Sequence, residues 1–242
     1  GMLRRIDADV APLQQTFGIA PTAALIHIKQ GLSDPHNGGQ AVSVLTFATP
    51  DGEDASRLVY KPKDMGVDLA YQQALDHLNG NSALTPRRSL SIHCGDGYGY
   101  MEFVEHRLCS GEDELKIFYR NAGRLTAVLH LLGCTDCHHE NLIACGDQLL
   151  LIDTETLLEA DLPDHIGNAS DHQTALNQSD LQKRFQSSIL RSGLLPTWLF
   201  LGQARVAVDI SALGIAPPAS TTVKSAGWLG LNSDGMMAGR IR

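Results

Sequence analysis

Residues 135–156 read TDCHHENLIACGDQLLLIDTET, and this stretch decides the fold. Two apolar runs flank Cys145-Gly146-Asp147, which reads as a strand, a turn and a second strand. Asp153 follows the second run directly, so it is expected at the carboxyl end of a strand, where ligands often bind. Asp136 lies five residues before Asn141, and Asp153 twelve residues after it. Upstream, ELKIFYRNAGRLTAVLHLLG (114–133) has helical spacing and ends at Gly133, a C-terminal cap.

Further toward the N-terminus the pattern turns to strands. AVSVLTFAT (41–49) and RLVYKPK (57–63) alternate and are joined by Pro50-Asp51-Gly52, which predicts a hairpin. Leu69, Ala70, Leu75 and Leu78 lie at helical spacing within 67–78. SLSIHCG (89–95) and YGYMEFVEH (98–106) read as two more strands. Residues 2–30 hold a short helical pattern broken by Pro12 and Pro21, and SDPHNGGQ (33–40) is a dense turn signal. Beyond the helix at 114–133, helix and loop are expected to dominate, and the Gly/Ser-rich tail lacks core periodicity. There is no internal repeat.

With 242 residues, 43% hydrophobic and 19% charged, the chain has the composition of a soluble globular protein. A formal charge of −8 argues against duplex nucleic acid as a partner. No apolar run approaches the ~20 residues of a membrane span. The first residues carry no secretory signal, and Gly1 before Met2 reads as a tag scar. Five cysteines without regular spacing point to reduced thiols and a cytoplasmic location.

Taken singly, each candidate residue has an unremarkable reading. The glycine turn containing Gly38 and Gly39 could expose amide groups to phosphate, or be only a turn. Lys61 could reach a phosphate from its strand, or lie in solvent on a sheet edge. Together, the turn, Lys61, Asp136 with Asn141, and Asp153 meet the needs of phosphoryl transfer. That reaction requires a carboxylate near the attacking hydroxyl and hard oxygen ligands for Mg²⁺. Protein kinases use an Asp, an Asn five residues later and a second Asp about a dozen further on. The fold class predicted is therefore α+β, a two-lobed protein/lipid-kinase-like core. A β-rich lobe spans residues 1–104 and a mainly helical lobe 105–242, the latter reading as truncated. The segment 98–106 would join the lobes, with Glu102 and Val104 at the adenine. A competing reading takes Cys134, Cys137, His138 and His139 as zinc ligands, but no second Cys/His pair lies at a suitable spacing. His138 would otherwise orient the catalytic loop, meet a phosphate or serve as a structural hydrogen bonder.

Seven stretches resemble the dehydratase domain of class II (LanM-type) lanthipeptide synthetases. They are DPHNGGQAV, LVYKPK, YGYMEFV, TDCHHENLIA, LLIDTET, SSILRSGLLP (187–196) and DISALG (209–214). The resemblance covers roughly residues 25–215. It implies a lipid-kinase-like fold, phosphorylation of Ser/Thr in a precursor peptide by ATP with Mg²⁺, and elimination of the phosphate. By resemblance, Asp34, His36 and Asn37 belong to a phosphate-side loop and Lys61 contacts ATP. Asp136, His138 and Asn141 match the catalytic loop, and Asp153 with Glu155 the metal-binding segment. Asn141 joins them as a Mg²⁺ ligand. The expected partners are a leader–core precursor peptide and a cyclase domain or protein outside this chain. The family's elimination residues lie well downstream of the DTET segment, so phosphorylation is the chemistry represented here, while elimination and cyclisation are doubtful. Two alternatives stand beside this reading: a small-molecule kinase, and a pseudokinase-like fragment that binds nucleotide or leader peptide without turnover.

Overall fold

A computed structural model of the chain describes residues 1–32, 41–52, 54–81, 83–158, 184–185, 187–196, 198–201, 206–209, 211–214, 225–229 and 237–241. It opens with helix α1 (Met2–Phe17) and strand β1 (Ala24–Lys29). Strands β2 (Ser43–Ala48) and β3 (Ala55–Lys61) follow, then helix α2 (Gly66–Gly80). Strands β4 (Ile92–Gly95) and β5 (Tyr98–Glu102) complete an antiparallel sheet in the order β1-β2-β3-β5-β4. Lys61, the last residue of β3, therefore lies in the middle of a sheet, paired with Gly99 of β5. Gly99 admits no side chain, since a Cβ there would stand 2.6 Å from the buried Met65 side chain and 2.8 Å from the His93 carbonyl.

Two expectations for the N-terminal residues are corrected. Helix α1 runs through Pro12 without a break and ends at Gly18, which is left-handed at φ 66°. Tertiary anchoring overrides the missing amide of Pro12. Ile6 and Leu13 are buried against the sheet on either side of it. Asp9 accepts from Tyr98 Oη at 2.7 Å and Tyr100 Oη at 2.9 Å, and Arg5 Nη1 donates to Tyr60 Oη at 2.8 Å. Residues 24–29, read as part of a helical pattern, instead form edge strand β1, with an irregular register between Leu25 and His27. Its mostly exposed side chains leave no alternating burial to read.

Helix α3 (Glu112–Leu131) places Leu125 and Leu129 fully inside, with three acidic residues in its first turn where they favour the helix dipole. Gly133 follows at φ 68°, which fits the cap read from the sequence. Strands β6 (Leu142–Cys145) and β7 (Gln148–Leu151) make the expected hairpin, turning at Gly146 with φ 60°. The expectation of a mainly helical second half is not met among the described residues. They contain α3, the helical residues 184–185 and two further hairpins, β8 (Trp198–Leu201) with β9 (Val206–Asp209), and β10 (Ser225–Leu229) with β11 (Met237–Ile241). Glycine and serine dilute side-chain periodicity in the tail, but ladder hydrogen bonds form through backbone that any residue supplies.

Three apolar clusters hold the chain together. One lies between α1 and the sheet, and another gathers α2, α3 and the hairpin around Leu75, Leu125, Leu129 and Leu151. The third, Met65, Leu90, Met101, Val104 and Leu150, joins the sheet to the hairpin. Arg87 reinforces this junction: buried, it donates to the carbonyls of Asn121 at 2.5 Å and Leu149 at 2.7 Å. All five cysteines are free. Among the described residues no helix is long and apolar enough to cross a membrane.

Candidate functional site

A cavity of about 950 Å³ opens between the five-stranded sheet and the β6–β7 hairpin. That volume falls within the ~300–1,000 Å³ typical of small-molecule sites. Its apolar walls include Val44, Val59, Met101, Ile143 and Ile152. Its polar lining brings together Lys61, Glu102, Asp136, His138, Asn141, Asp153 and Glu155, with Val104 beside them. Residues scattered over some ninety positions of sequence thus converge on one space. Asp34, His36, Asn37, Gly38 and Gly39 lie outside the described residues, while Gly31, Leu32 and Val42, which flank them, line the same cavity.

Lys61 enters from the centre of the sheet and is nearly inaccessible, not the solvent-facing edge lysine that was one reading of it. Its Nζ donates to the carbonyl of Ile152 and lies 3.4 Å from Asp68 Oδ1. Asp68 is buried on the first turn of α2, so the helix supplies the counter-charge that the lysine needs inside the protein.

The loop after α3 is braced from both sides. Cys137 N donates to Ser192 O at 2.7 Å, and His138 bridges to Ser211. Ile152 N donates to Asn141 O at 2.9 Å, linking the loop to the end of β7. Within it, Asn141 Nδ2 donates to Asp136 O at 2.8 Å and Asp136 Oδ2 at 3.2 Å. His138 Nδ1 lies 2.8 Å from Asp136 Oδ1, and its Nε2 3.3 Å from Glu140 Oε2. The Asp136 carboxylate is therefore fixed by two neighbours while remaining more than half exposed toward the cavity.

Asp153 and Glu155 are joined by a residue that the sequence reading passed over. Lys63 Nζ lies 2.7 Å from Asp153 Oδ1 and 2.8 Å from Glu155 Oε1. Burial pushes the Asp153 carboxyl up, but the Lys63 hydrogen bond and the charges of Lys61 and Lys63 outweigh it and hold the group below the usual aspartate value. The signal for Lys63 was present in the alternation of YKPK, which sets it two residues beyond Lys61.

The donor set suits a hard cation. Asp153 and Glu155 offer carboxylate oxygens and Asn141 an amide oxygen in the same cavity, the ligand type that Mg²⁺ prefers. Among the described residues no three His, Cys, Asp or Glu side chains converge on a metal position. The zinc reading of Cys134, Cys137, His138 and His139 gains no such cluster either. Cys134 and Cys137 are instead buried thiols 2.9 Å apart beneath the loop. The hydrogen bond between them draws the Cys134 thiol down against the effect of burial and pushes the Cys137 thiol up.

Glu102 and Val104 lie on the cavity wall where the sheet ends. The Glu102 carboxylate is already engaged, by Arg88 Nη2 and by Ser91 N at 3.0 Å, and the amides of Glu102 and Phe103 donate to Ser91 O at 3.0 Å and Arg57 O at 3.4 Å.

A family model described as DUF4135, domain of unknown function, matches residues 1–242. A curated relative, the lacticin 481/lactococcin biosynthesis protein LcnDR2 of Lactococcus lactis subsp. lactis, is 25% identical over 171 residues. That match covers 67% of this chain and 17% of the relative, so the chain spans about one sixth of the relative's length. Both findings agree with the resemblance carried by the seven sequence stretches: the chain is class II lanthipeptide synthetase-like.

Proposed function

Because the chain belongs to the DUF4135 family, we propose that it serves lanthipeptide biosynthesis, using ATP and Mg²⁺ to phosphorylate Ser/Thr hydroxyls of a precursor peptide as the first half of dehydration. The observation that carries this reading is the convergence of Lys61, Asp136, Asn141 and Asp153 on one cavity. In this reading the cavity is the cleft of a kinase-like core. Lys61, fixed by Asp68 and the Ile152 carbonyl, presents a point charge to the triphosphate. Asn141, Asp153 and Glu155 would hold Mg²⁺, and that ion would supply charge neutralisation at the transferring phosphoryl group. Asp136, oriented by His138 and Asn141, accepts the proton of the attacking hydroxyl. The apolar wall of Val44, Val59, Met101 and Ile143 suits a flat base, with the backbone at Val104 for its polar edge.

Calorimetric titration with ATP, with and without Mg²⁺, tests the proposal. Mg²⁺-dependent binding that is lost in Asp153→Asn and weakened in Lys61→Ala is expected. A folded protein that binds no nucleotide would sink it. The acceptor is tested separately, by the mass gain of a phosphoryl group on a precursor peptide of the lacticin 481 type.

A further inference from the structure

The position of Lys63 extends the reading of the site. Its ammonium makes two short contacts, 2.7 Å to Asp153 and 2.8 Å to Glu155, with the carboxylates assigned above to the divalent cation. Lys61, two residues earlier, is committed elsewhere, to Asp68 and the Ile152 carbonyl. The two lysines therefore differ in what they hold. Lys61 lines the cavity and is almost wholly buried, whereas the Lys63 side chain is about one-fifth exposed and reaches the two carboxylates that line it.

We infer that Lys63 is a positioning residue that closes the metal site of the free protein, standing in for the divalent cation until nucleotide brings that cation with its own phosphate oxygens. The inference rests on the proposed nucleotide site. A bare cation approaching Asp153 and Glu155 must displace an ammonium held by two charge-assisted hydrogen bonds. From the described residues it gains two carboxylates and an amide. Mg²⁺ commonly completes its shell with substrate phosphates when one or two carboxylates are all the protein provides. A cation that arrives with a triphosphate brings those oxygens and gives the displaced ammonium a new anionic partner. Metal entry is thereby made conditional on nucleotide, and the acidic pair is not left uncompensated in the free protein.

The test uses Mn²⁺ alone as the probe, titrated into the full chain and read by the paramagnetic signal of free Mn²⁺. Lys63→Met should bind Mn²⁺ about ten-fold more tightly than the unsubstituted protein. Lys63→Arg, which keeps the charge and both donors, should not. A change in a merely structural residue would weaken metal binding or leave it alone. If Lys63→Met does not fold, Lys63→Gln is measured in its place. A folded neutral variant that binds Mn²⁺ no more tightly than the unsubstituted protein overturns the inference. Failure of the unsubstituted protein to bind a non-hydrolysable ATP analogue with Mn²⁺ would sink the proposed function instead, because the comparison with metal alone does not involve nucleotide.

Discussion

Lys61 donates to the carbonyl of Ile152, the residue immediately before Asp153, so the centre of the sheet and the end of β7 are fastened together within the candidate site. Lys61→Met should therefore do more than weaken nucleotide binding. It leaves Asp68 buried without its cation, at a cost of about 3–5 kcal/mol. In the double variant Lys61→Met/Asp68→Asn most of that loss should return. Urea denaturation of the three proteins measures it, and equal stabilities for the single and double variants would exclude the buried pair as the cause.

Asp136→Asn should lower peptide phosphorylation by ~10²–10⁴ and leave nucleotide affinity nearly unchanged, because a general base acts on the hydroxyl and not on ATP. Its amide keeps an oxygen for the Asn141 side chain, so the loop should persist. Single-turnover assays beside calorimetry separate the two effects. A loss confined to affinity would assign Asp136 to binding.

Arg87→Met removes the donors to the buried Asn121 and Leu149 carbonyls. The expected loss is about 2–3 kcal/mol of stability. Thermal unfolding reads it out, with Arg124→Met, a half-buried neighbour on α3, as the comparison.

Acid should expose the part played by Glu114. Hydrogen bonds from the Ser110 hydroxyl and amide, together with Arg107, bring its carboxyl down from 4.5 to about 2. A carboxyl depressed in the folded state stabilises the protein above its unfolded value, and that contribution disappears as pH falls from about 4.5 through about 2. Glu114→Gln should therefore be less stable at neutral pH and lose less on acidification. Urea midpoints at a series of pH values test this, and parallel curves for the two proteins would contradict it.

Much of the frame was legible because it follows from short-range rules. The β2–β3 hairpin announced itself by alternation around Pro50-Asp51-Gly52, and the β6–β7 hairpin by two apolar runs around Gly146. Helices α2 and α3 followed from spacing, and Gly133 from its place after α3. What escaped depends on partners distant in sequence. Pro12 signals a break only if Asp9, Tyr98 and Tyr100 are not already holding the helix to the sheet. Strand β1 is identified by its pairing to β2, not by its mostly exposed side chains. The convergence of Lys61, Asp136, Asn141 and Asp153 was expected from their order and spacing, whereas the capture of both acidic side chains by Lys63 needs three dimensions.

The bracing of the loop at Asp136–Asn141 has a consequence for how the protein is made. The loop leans on Ser192 through Cys137 and on Ser211 through His138. On a ribosome, the residues of the loop emerge long before the ones that fix its shape. The sheet and α3 can form early, but the cleft acquires its final geometry only after Ser211 has cleared the exit tunnel. A chain stalled before that point would carry every side chain named in the candidate site but not the Ser211 brace.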